Sequence, residues 1–273
     1  MYFVTFSEMI GTNGKKIASQ VASRLNYTFY GEEELAKAAK EMGFLSDIKQ
    51  LDEKSPAFFE RFFSEKPKIH FDRLQALIYE VAKNGNAVFF GRGSPMLLKS
   101  FGCALHVLVT GSMAKRIQRV MDEKKVNREV ATKLIERSDH DKRGFARFAF
   151  EEDWLNPHLY DLIINTDKLS VEAAVEMVVG SAKSDEIKAC GIDSVKELGM
   201  LSLHRKAESA LLEAGILNPH LFVEAPAEDT VRIYGIVGSG EEKKGVEDAL
   251  RKVKGTKKVI NDVQVNPAAL TGA

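Results

Sequence analysis

Four short apolar runs, each followed by a stretch with helical spacing, restrict the fold of this chain more than any other feature. They are Tyr2–Phe6, Ala87–Phe90, Ala104–Val109 and Asp161–Asn165. Side chains alternate between the two faces of a strand, so a strand apolar at successive positions must be covered on both sides. Between these runs, apolar residues recur every three or four positions. Ile17, Val21 and Leu25 form one such stripe, with Ala18 and Ala22 beside it, and Leu74, Leu77, Ile78 and Val81 form another. Glu32 to Met42 reads as a further helix, its acidic start matching the positive end of the helix dipole. Ser112, Asn127 and Ser170 are placed to cap three more, the second expected to run to about Arg137 and the third through Val179. Phe58, Phe59, Phe62 and Phe63 make an apolar stripe suited to a short helix. Strands alternating with helices predict an α/β fold, a parallel sheet with helices on both faces. This pattern fills residues 1–182.

Residues 181–194 are small and polar and read as a linker. Beyond them the rhythm changes. A helix over about 195–214 precedes strands at Leu221–Glu224 and Val231–Val237, then a helix over Glu241–Val253 and a strand over Lys258–Val265. Val231 and Ile233 alternate with Arg232 and Tyr234, as in a strand with one buried face. Residues 195–267 are thus expected to form a separate small αββαβ domain.

Lys+Arg and Asp+Glu both number 39 among 273 residues, giving zero formal charge. This argues against a global electrostatic grip on nucleic acid, and no nucleic-acid partner is expected. No apolar run reaches the roughly 20 residues that span a bilayer. The first ten residues lack a basic stretch leading into an apolar core, so a cytoplasmic location is expected. Cys103 and Cys190 are far apart and read as inert free thiols.

Chemistry is best sited at the first strand-to-helix junction, where Gly11-Thr12-Asn13-Gly14 intervene. Backbone N–H groups converge at such a turn, and the helix N-terminus adds partial positive charge, which suits phosphate. Lys15 stands where the lysine of G-x-x-x-x-G-K-[ST] reaches β- and γ-phosphates. Met9 replaces the first glycine of that pattern, and Lys16 replaces the hydroxyl residue that would hold Mg²⁺. Gly238-Ser239-Gly240 also joins a strand to a helix, but no lysine follows at the right spacing, and it reads as a turn and cap.

Residues 115–147 are rich in cations, among them Arg137, Lys142, Arg143 and Arg147. A basic helix pair of this kind can close over a polyphosphate as a lid, because charge develops on the equatorial oxygens of a migrating phosphoryl group. Arg92 directly follows a buried strand, at the carboxyl edge of the sheet where α/β folds bind ligands.

Several ordered pieces of the first 180 or so residues resemble the cytidylate kinase-like family of P-loop nucleoside-monophosphate kinases. They are Thr5–Ala18, Asn26–Tyr30, Val88–Gly93, Leu105–Val107, Ser138-Asp139, Trp154 and Pro157–Thr166. The resemblance implies ATP with Mg²⁺ and transfer of phosphate to a nucleoside monophosphate. By position it implies that Gly11, Thr12, Asn13, Gly14, Lys15 and Lys16 lie at the nucleotide phosphates. It implies that Lys15 stabilises the transferring group, that Arg92 holds the acceptor phosphate, and that Lys142 and Arg143 act from the lid, with Arg137 and Arg147 as further lid cations. Lys142 stands where the family tends to place an arginine, and it cannot make the bidentate fork.

Two departures bear on the metal. Gly31 stands where relatives usually carry aspartate, and no acidic residue follows Arg92 in Gly91-Arg92-Gly93. A catalytically weak or inactive nucleotide-binding regulator is therefore the alternative to an enzyme. The tail resembles a BON domain in its αββαβ order and in Gly235 and Gly255. That resemblance implies a module that binds a phospholipid surface or a protein partner. The enzymatic reading requires a first junction open to polyphosphate.

Overall fold

The computed structural model describes residues 3–44, 66–185, 187 and 191–267. The Phe58–Phe63 stripe and Cys190 lie outside the described residues. The described residues group into two compact units. Residues 3–38, 84–185 and 187 form the first, and residues 39–44, 66–83 and 191–267 form the second.

The first unit is built on five parallel strands in the order β2-β3-β1-β4-β5. They are β1 (Phe3–Glu8), β2 (Thr28–Tyr30), β3 (Ala87–Phe90), β4 (Ala104–Thr110) and β5 (Leu162–Asn165). β1 is central, with Phe3 in register with Ala87 on one side and Ala104 on the other. Helix α1 (Gly14–Leu25) and the later helix Val171–Ala182 cover one face of the sheet. Val4, Phe6, Ile17, Val21, Val107, Val109, Val175 and Val178 meet there, almost or entirely excluded from solvent. Each such side chain contributes roughly 1.5–3 kcal/mol of hydrophobic stabilisation. Helix α2 (Glu32–Met42) begins in this unit with Glu32, Glu33 and Glu34 in its first turn. β2, absent from the sequence reading of strands, has three residues, none fully buried, so it carries no apolar run.

His106 of β4 is a core residue. Its Nδ1 lies 2.7 Å from Thr5 Oγ1, and burial lowers its pKa. Cys103, expected as a free thiol, is disulfide-bonded. Ser112, Asn127 and Ser170 each cap a helix as expected, accepting from the N–H groups of Lys115, Val130 and Ala173.

The second unit contains α3 (Lys66–Ala82). The intervening α4 (Ser94–Leu97), α5 (Met113–Lys124), α6 (Arg128–Phe150) and α7 (Val171–Ala182) belong to the first unit. In the second unit follow α8 (Ile192–Glu213), β6 (Leu221–Ala227), β7 (Thr230–Val237), α9 (Gly240–Arg251) and β8 (Lys258–Val265). β6 and β7 are antiparallel, whereas β7 and β8 are parallel. The αββαβ order therefore holds from α8 onward. α3 packs on α8, where Ser202 Oγ donates to Ala76 O at 3.0 Å and Lys206 Nζ donates to Glu80 Oε2 at 2.8 Å.

Candidate active site

The chain leaves β1 toward β2 on one side, while β4 leads to β5 on the other. The crevice outside the carboxyl ends of β1 and β4 is thus the topological switch point, where open α/β sheets bind ligands. The turn between β1 and α1 lies there.

That turn is shaped by backbone conformation. Gly11 has φ 83° and Asn13, the residue before α1, has φ 62°. At Gly11 no other residue fits, since a Cβ would lie 2.7 Å from the carbonyl oxygen of Arg116. Asn13 adopts the left-handed conformation and makes no side-chain cap, so it leaves the first N–H groups of α1 unclaimed by the helix itself. Such donors form a nest for an anion.

A side chain from β1 closely approaches this turn. The Glu8 side chain packs against Gly14 at the start of α1. A Cβ on Gly14 would lie 2.6 Å from Glu8 Oε2, which shows how closely the carboxylate approaches the loop. Burial pushes the Glu8 carboxyl above its ordinary range, against the opposing pull of the Lys142 charge and the nearby backbone amides at the start of α1. The sequence reading requires an open junction; a side chain from the preceding strand lies against its Gly14 end. Nothing in the pattern of β1 marks Glu8 for this role.

Three cations grip the loop from behind. Lys142 Nζ donates to Glu8 O at 2.5 Å and lies 5.4 Å from the centre of the buried Trp154 ring. Arg116 Nε donates to Ile10 O at 2.9 Å, while Nη1 and Nη2 make a bidentate pair with Asp139 at 2.9 and 2.7 Å. Arg119 Nη1 donates to Gly11 O at 3.3 Å and to Thr166 Oγ1 at 2.9 Å. The guanidinium of Arg116 is buried, and a bidentate carboxylate partner is what permits this. The basic segment therefore includes residues that hold the loop, besides any that cover it. Arg116 was legible in principle, because it lies beside Ile117 and one turn before Val120 on the buried face of α5.

The remaining expected residues fall as follows. Thr12 is fully buried and its hydroxyl donates to Met9 O at 2.7 Å, so it points into the loop. Lys15 and Lys16 are exposed on the first turn of α1. Arg92 follows β3, which is paired with β1, and its φ of 57° falls between Gly91 at 73° and Gly93 at 70°. Three consecutive left-handed residues are costly for arginine, and such strain collects at functional positions. Gly93 admits no side chain, since a Cβ would lie 2.7 Å from Phe150 on α6. Helix α6 runs to Phe150, well past the expected end near Arg137, because Ala131, Ile135, Phe145 and Ala146 keep one face buried. Arg137, Arg143 and Arg147 are exposed along it, and Arg137 Nε lies 3.7 Å from Asp141.

A parallel sheet ordered 2-3-1-4-5, with a glycine-bearing turn after its central strand and a basic helix pair beside it, defines a kinase-like α/β protein. The chain belongs to the cytidylate kinase-like family, whose model matches residues 3–168. It is 27% identical over 191 residues to a cytidylate kinase of Methanocaldococcus jannaschii, an alignment covering 68% of this chain and 98% of the relative. In fold it is similar to a crystal structure of an uncharacterized protein from Eubacterium ventriosum, at a TM-score of 0.53 and 19% identity, covering 67% of this chain and 99% of that one.

Mg²⁺ is the metal implied by such a family. Among the described residues no group of three or more His, Cys, Asp or Glu side chains is arranged to hold a metal ion. The Thr12 hydroxyl is committed to Met9, and Lys16 stands at the usual hydroxyl position. The loop side chains do not fit a protein-held Mg²⁺. No helix among the described residues is long and apolar enough to cross a membrane.

Proposed function

We propose that this protein transfers a phosphoryl group from ATP to a nucleoside monophosphate. The observation that carries the reading is the turn after β1, where positive-φ Gly11 and left-handed Asn13 leave the start of α1 without a side-chain cap beside the exposed Lys15. In this reading Gly11 to Lys16 receive the donor phosphates, and the Lys15 ammonium follows the charge that spreads over the migrating group. Arg92, held at the edge of the adjacent strand, takes the acceptor phosphate. An acceptor oxygen attacks the γ-phosphorus in line and ADP leaves, so positioning and cationic stabilisation carry the catalysis. Lys142 acts by fixing the loop, while Arg137, Arg143 and Arg147 supply the covering charge. The likeness to a cytidylate kinase makes CMP the first acceptor to test. A coupled assay with ATP, Mg²⁺ and a panel of monophosphates tests the reading. ADP formed in proportion to one acceptor supports it; no ADP above the ATP-only rate across the panel overturns it.

One observation favours a second reading, a regulator that binds nucleotide without turnover. Glu8 lies against the loop at Gly14, and among the described residues no group of three or more His, Cys, Asp or Glu side chains is arranged to hold a metal ion. In that reading the αββαβ unit, BON-like in its order of elements, passes the response to a phospholipid surface or protein partner. Calorimetry showing nucleotide binding without turnover across the panel would select it.

A further inference from the structure

We infer that Asp139 is a positioning residue for the phosphate loop: it holds Arg116 so that the guanidinium fixes the peptide between Ile10 and Gly11, with the N–H of Gly11 turned out for a phosphate. This rests on the loop being a polyphosphate site, which both readings above share. Arg116 Nε donates to Ile10 O at 2.9 Å. The described chain has no cis peptide bond, and in a trans peptide the C=O and the following N–H point in opposite directions. The hold on Ile10 O therefore turns the N–H of Gly11 away from α5. Among the described residues no protein acceptor meets that N–H. A donor left in this way suits an anionic oxygen.

The peptide needs fixing because it has two available orientations. Gly11, at φ 83°, has the conformation of the third residue of a type II turn. Type I and type II turns differ in the direction of the peptide before that residue, and glycine accepts either. A peptide turned the other way would show a phosphate a carbonyl oxygen in place of an N–H. Asp139 equips Arg116 to prevent this. Its carboxylate takes Nη1 and Nη2 at 2.9 and 2.7 Å, which leaves Nε for Ile10. The side chains of Arg116 and Asp139 are 4% and 20% exposed, so water competes little for these bonds. On the far side of Gly11, Arg119 Nη1 donates to Gly11 O and to Thr166 Oγ1. Both carbonyls that flank Gly11 are thus held by arginines of α5. Asp139 lies one turn before Lys142 on α6, and Lys142 Nζ donates to Glu8 O. Helix α6 therefore reaches the loop twice, directly through Lys142 and by way of Arg116 through Asp139.

The test uses the full chain and inorganic tripolyphosphate in metal-free buffer, with affinity read by calorimetry and backbone amides by NMR. Asp139→Asn keeps the shape of the side chain but loses its charge and one of the two acceptor oxygens. We expect it to bind tripolyphosphate about tenfold more weakly than wild type, the equivalent of one hydrogen bond to a charged group. Equal binding by a folded Asp139→Asn protein overturns the proposal. A second variant tests the route. Arg116→Lys keeps a cation but loses the fork, and it should weaken binding to a similar degree. Adding Asp139→Asn to it should then cost less than about twofold more, because both changes act on one peptide; losses that multiply to about a hundredfold overturn the route through Arg116. The third measurement separates positioning from general loosening and needs no variant. In wild type the Gly11 amide proton should move downfield as tripolyphosphate is added, and a Gly11 amide that does not respond overturns the proposal. In Asp139→Asn that movement should shrink at saturation while the amides of the first turn of α1 move as in wild type. The predicted losses in a protein that transfers no phosphate to any monophosphate support the positioning role and remove the enzymatic reading. Failure of the wild-type protein to bind tripolyphosphate removes both.

Discussion

Two of the glycine-bearing junctions between a strand and a helix, those before α1 and before α9, meet the same problem in opposite ways. Every α-helix begins with N–H groups that lack intrahelical partners. At the start of α9, Ser239 has extended backbone and its hydroxyl accepts from Glu242 N at 3.1 Å. Glu242 reaches back to accept from Gly238 N at 2.9 Å. This is a variant of the reciprocal capping box, and it closes the junction locally. At the start of α1, Asn13 is left-handed and gives no such cap. Glycine content does not separate the two. What separates them is whether the residue before the helix uses its own side chain, and that decides which junction has donors to offer a ligand.

The most severe way to break this contrast is to remove the charge that would act with the open loop. Lys15→Ala should lower phosphoryl transfer by about 10²–10³-fold, the scale of losing one positioned stabilising group. The exposed position of Lys15 means that the thermal midpoint should not change. Turnover equal to wild type would remove Lys15 from the mechanism. The equivalent change after the closed junction, Lys243→Ala, should leave transfer as it was.

The next largest effect concerns what holds the loop in shape. Arg116→Ala leaves Asp139 without its bidentate partner and Ile10 O without its donor. Breaking a buried ion pair by removing one side costs about 3–5 kcal/mol, and the pair here is largely shielded from water. Urea unfolding would show this as a lowered midpoint. A loss below about 1 kcal/mol would place Arg116 among ordinary surface cations.

A third test contrasts Glu8 with a carboxylate of the second unit. Asp72 on α3 is 1% exposed, and its Oδ2 has no hydrogen-bond partner among the described residues. Arg205 Nη1 is 3.5 Å from its other oxygen. Burial, reinforced by the nearby charge of Glu208, pushes the Asp72 carboxyl from 3.8 to about 7. The folded state therefore holds this proton more tightly than the unfolded state. Its stabilising contribution is complete below about pH 4 and is lost as pH rises through about 7. Unfolding followed from pH 5 to 8 should lose roughly 2–4 kcal/mol of stability from this group, and Asp72→Asn should flatten that slope. A wild-type curve already flat over that range would contradict the shift.

Much of this was legible in the sequence, and the parts that were not share a cause. Three of the four strands found from apolar runs are mostly buried, through residues such as Val4, Phe6, Val88 and Val107, whereas in β5 only Ile164 is buried and the apolar run itself gave the strand away. Thr28–Tyr30 was missed because a short strand only partly buried has no pattern of its own. The three capping residues were readable because a cap acts over three positions of local chain. The glycine turn was readable for the same reason. Glu8, Arg116 and Arg119 were not, because each acts by crossing to another element. Glu8 packs against Gly14, and the arginines reach carbonyls more than 100 residues away in the chain. In a charge-rich helix, sequence alone does not distinguish a cation aimed at a backbone carbonyl from one aimed at solvent.

The smallest effect tests the closed junction by itself. Ser239→Ala removes the acceptor for Glu242 N while leaving Gly238 N its partner in the Glu242 carboxylate. Loss of a serine cap costs about 1 kcal/mol. Because Glu242 remains to satisfy one donor, the exposed N–H groups are left to water, and no ligand site is created. The expected result is a denaturation midpoint lowered by that amount, with no binding of tripolyphosphate gained by the isolated change. A Ser239→Ala protein that bound polyphosphate at α9 would mean that any uncapped helix start after a glycine turn suffices. The left-handed Asn13, the grip of Arg116 and Arg119 on the loop carbonyls, and Lys15 would then add nothing to what α1 offers.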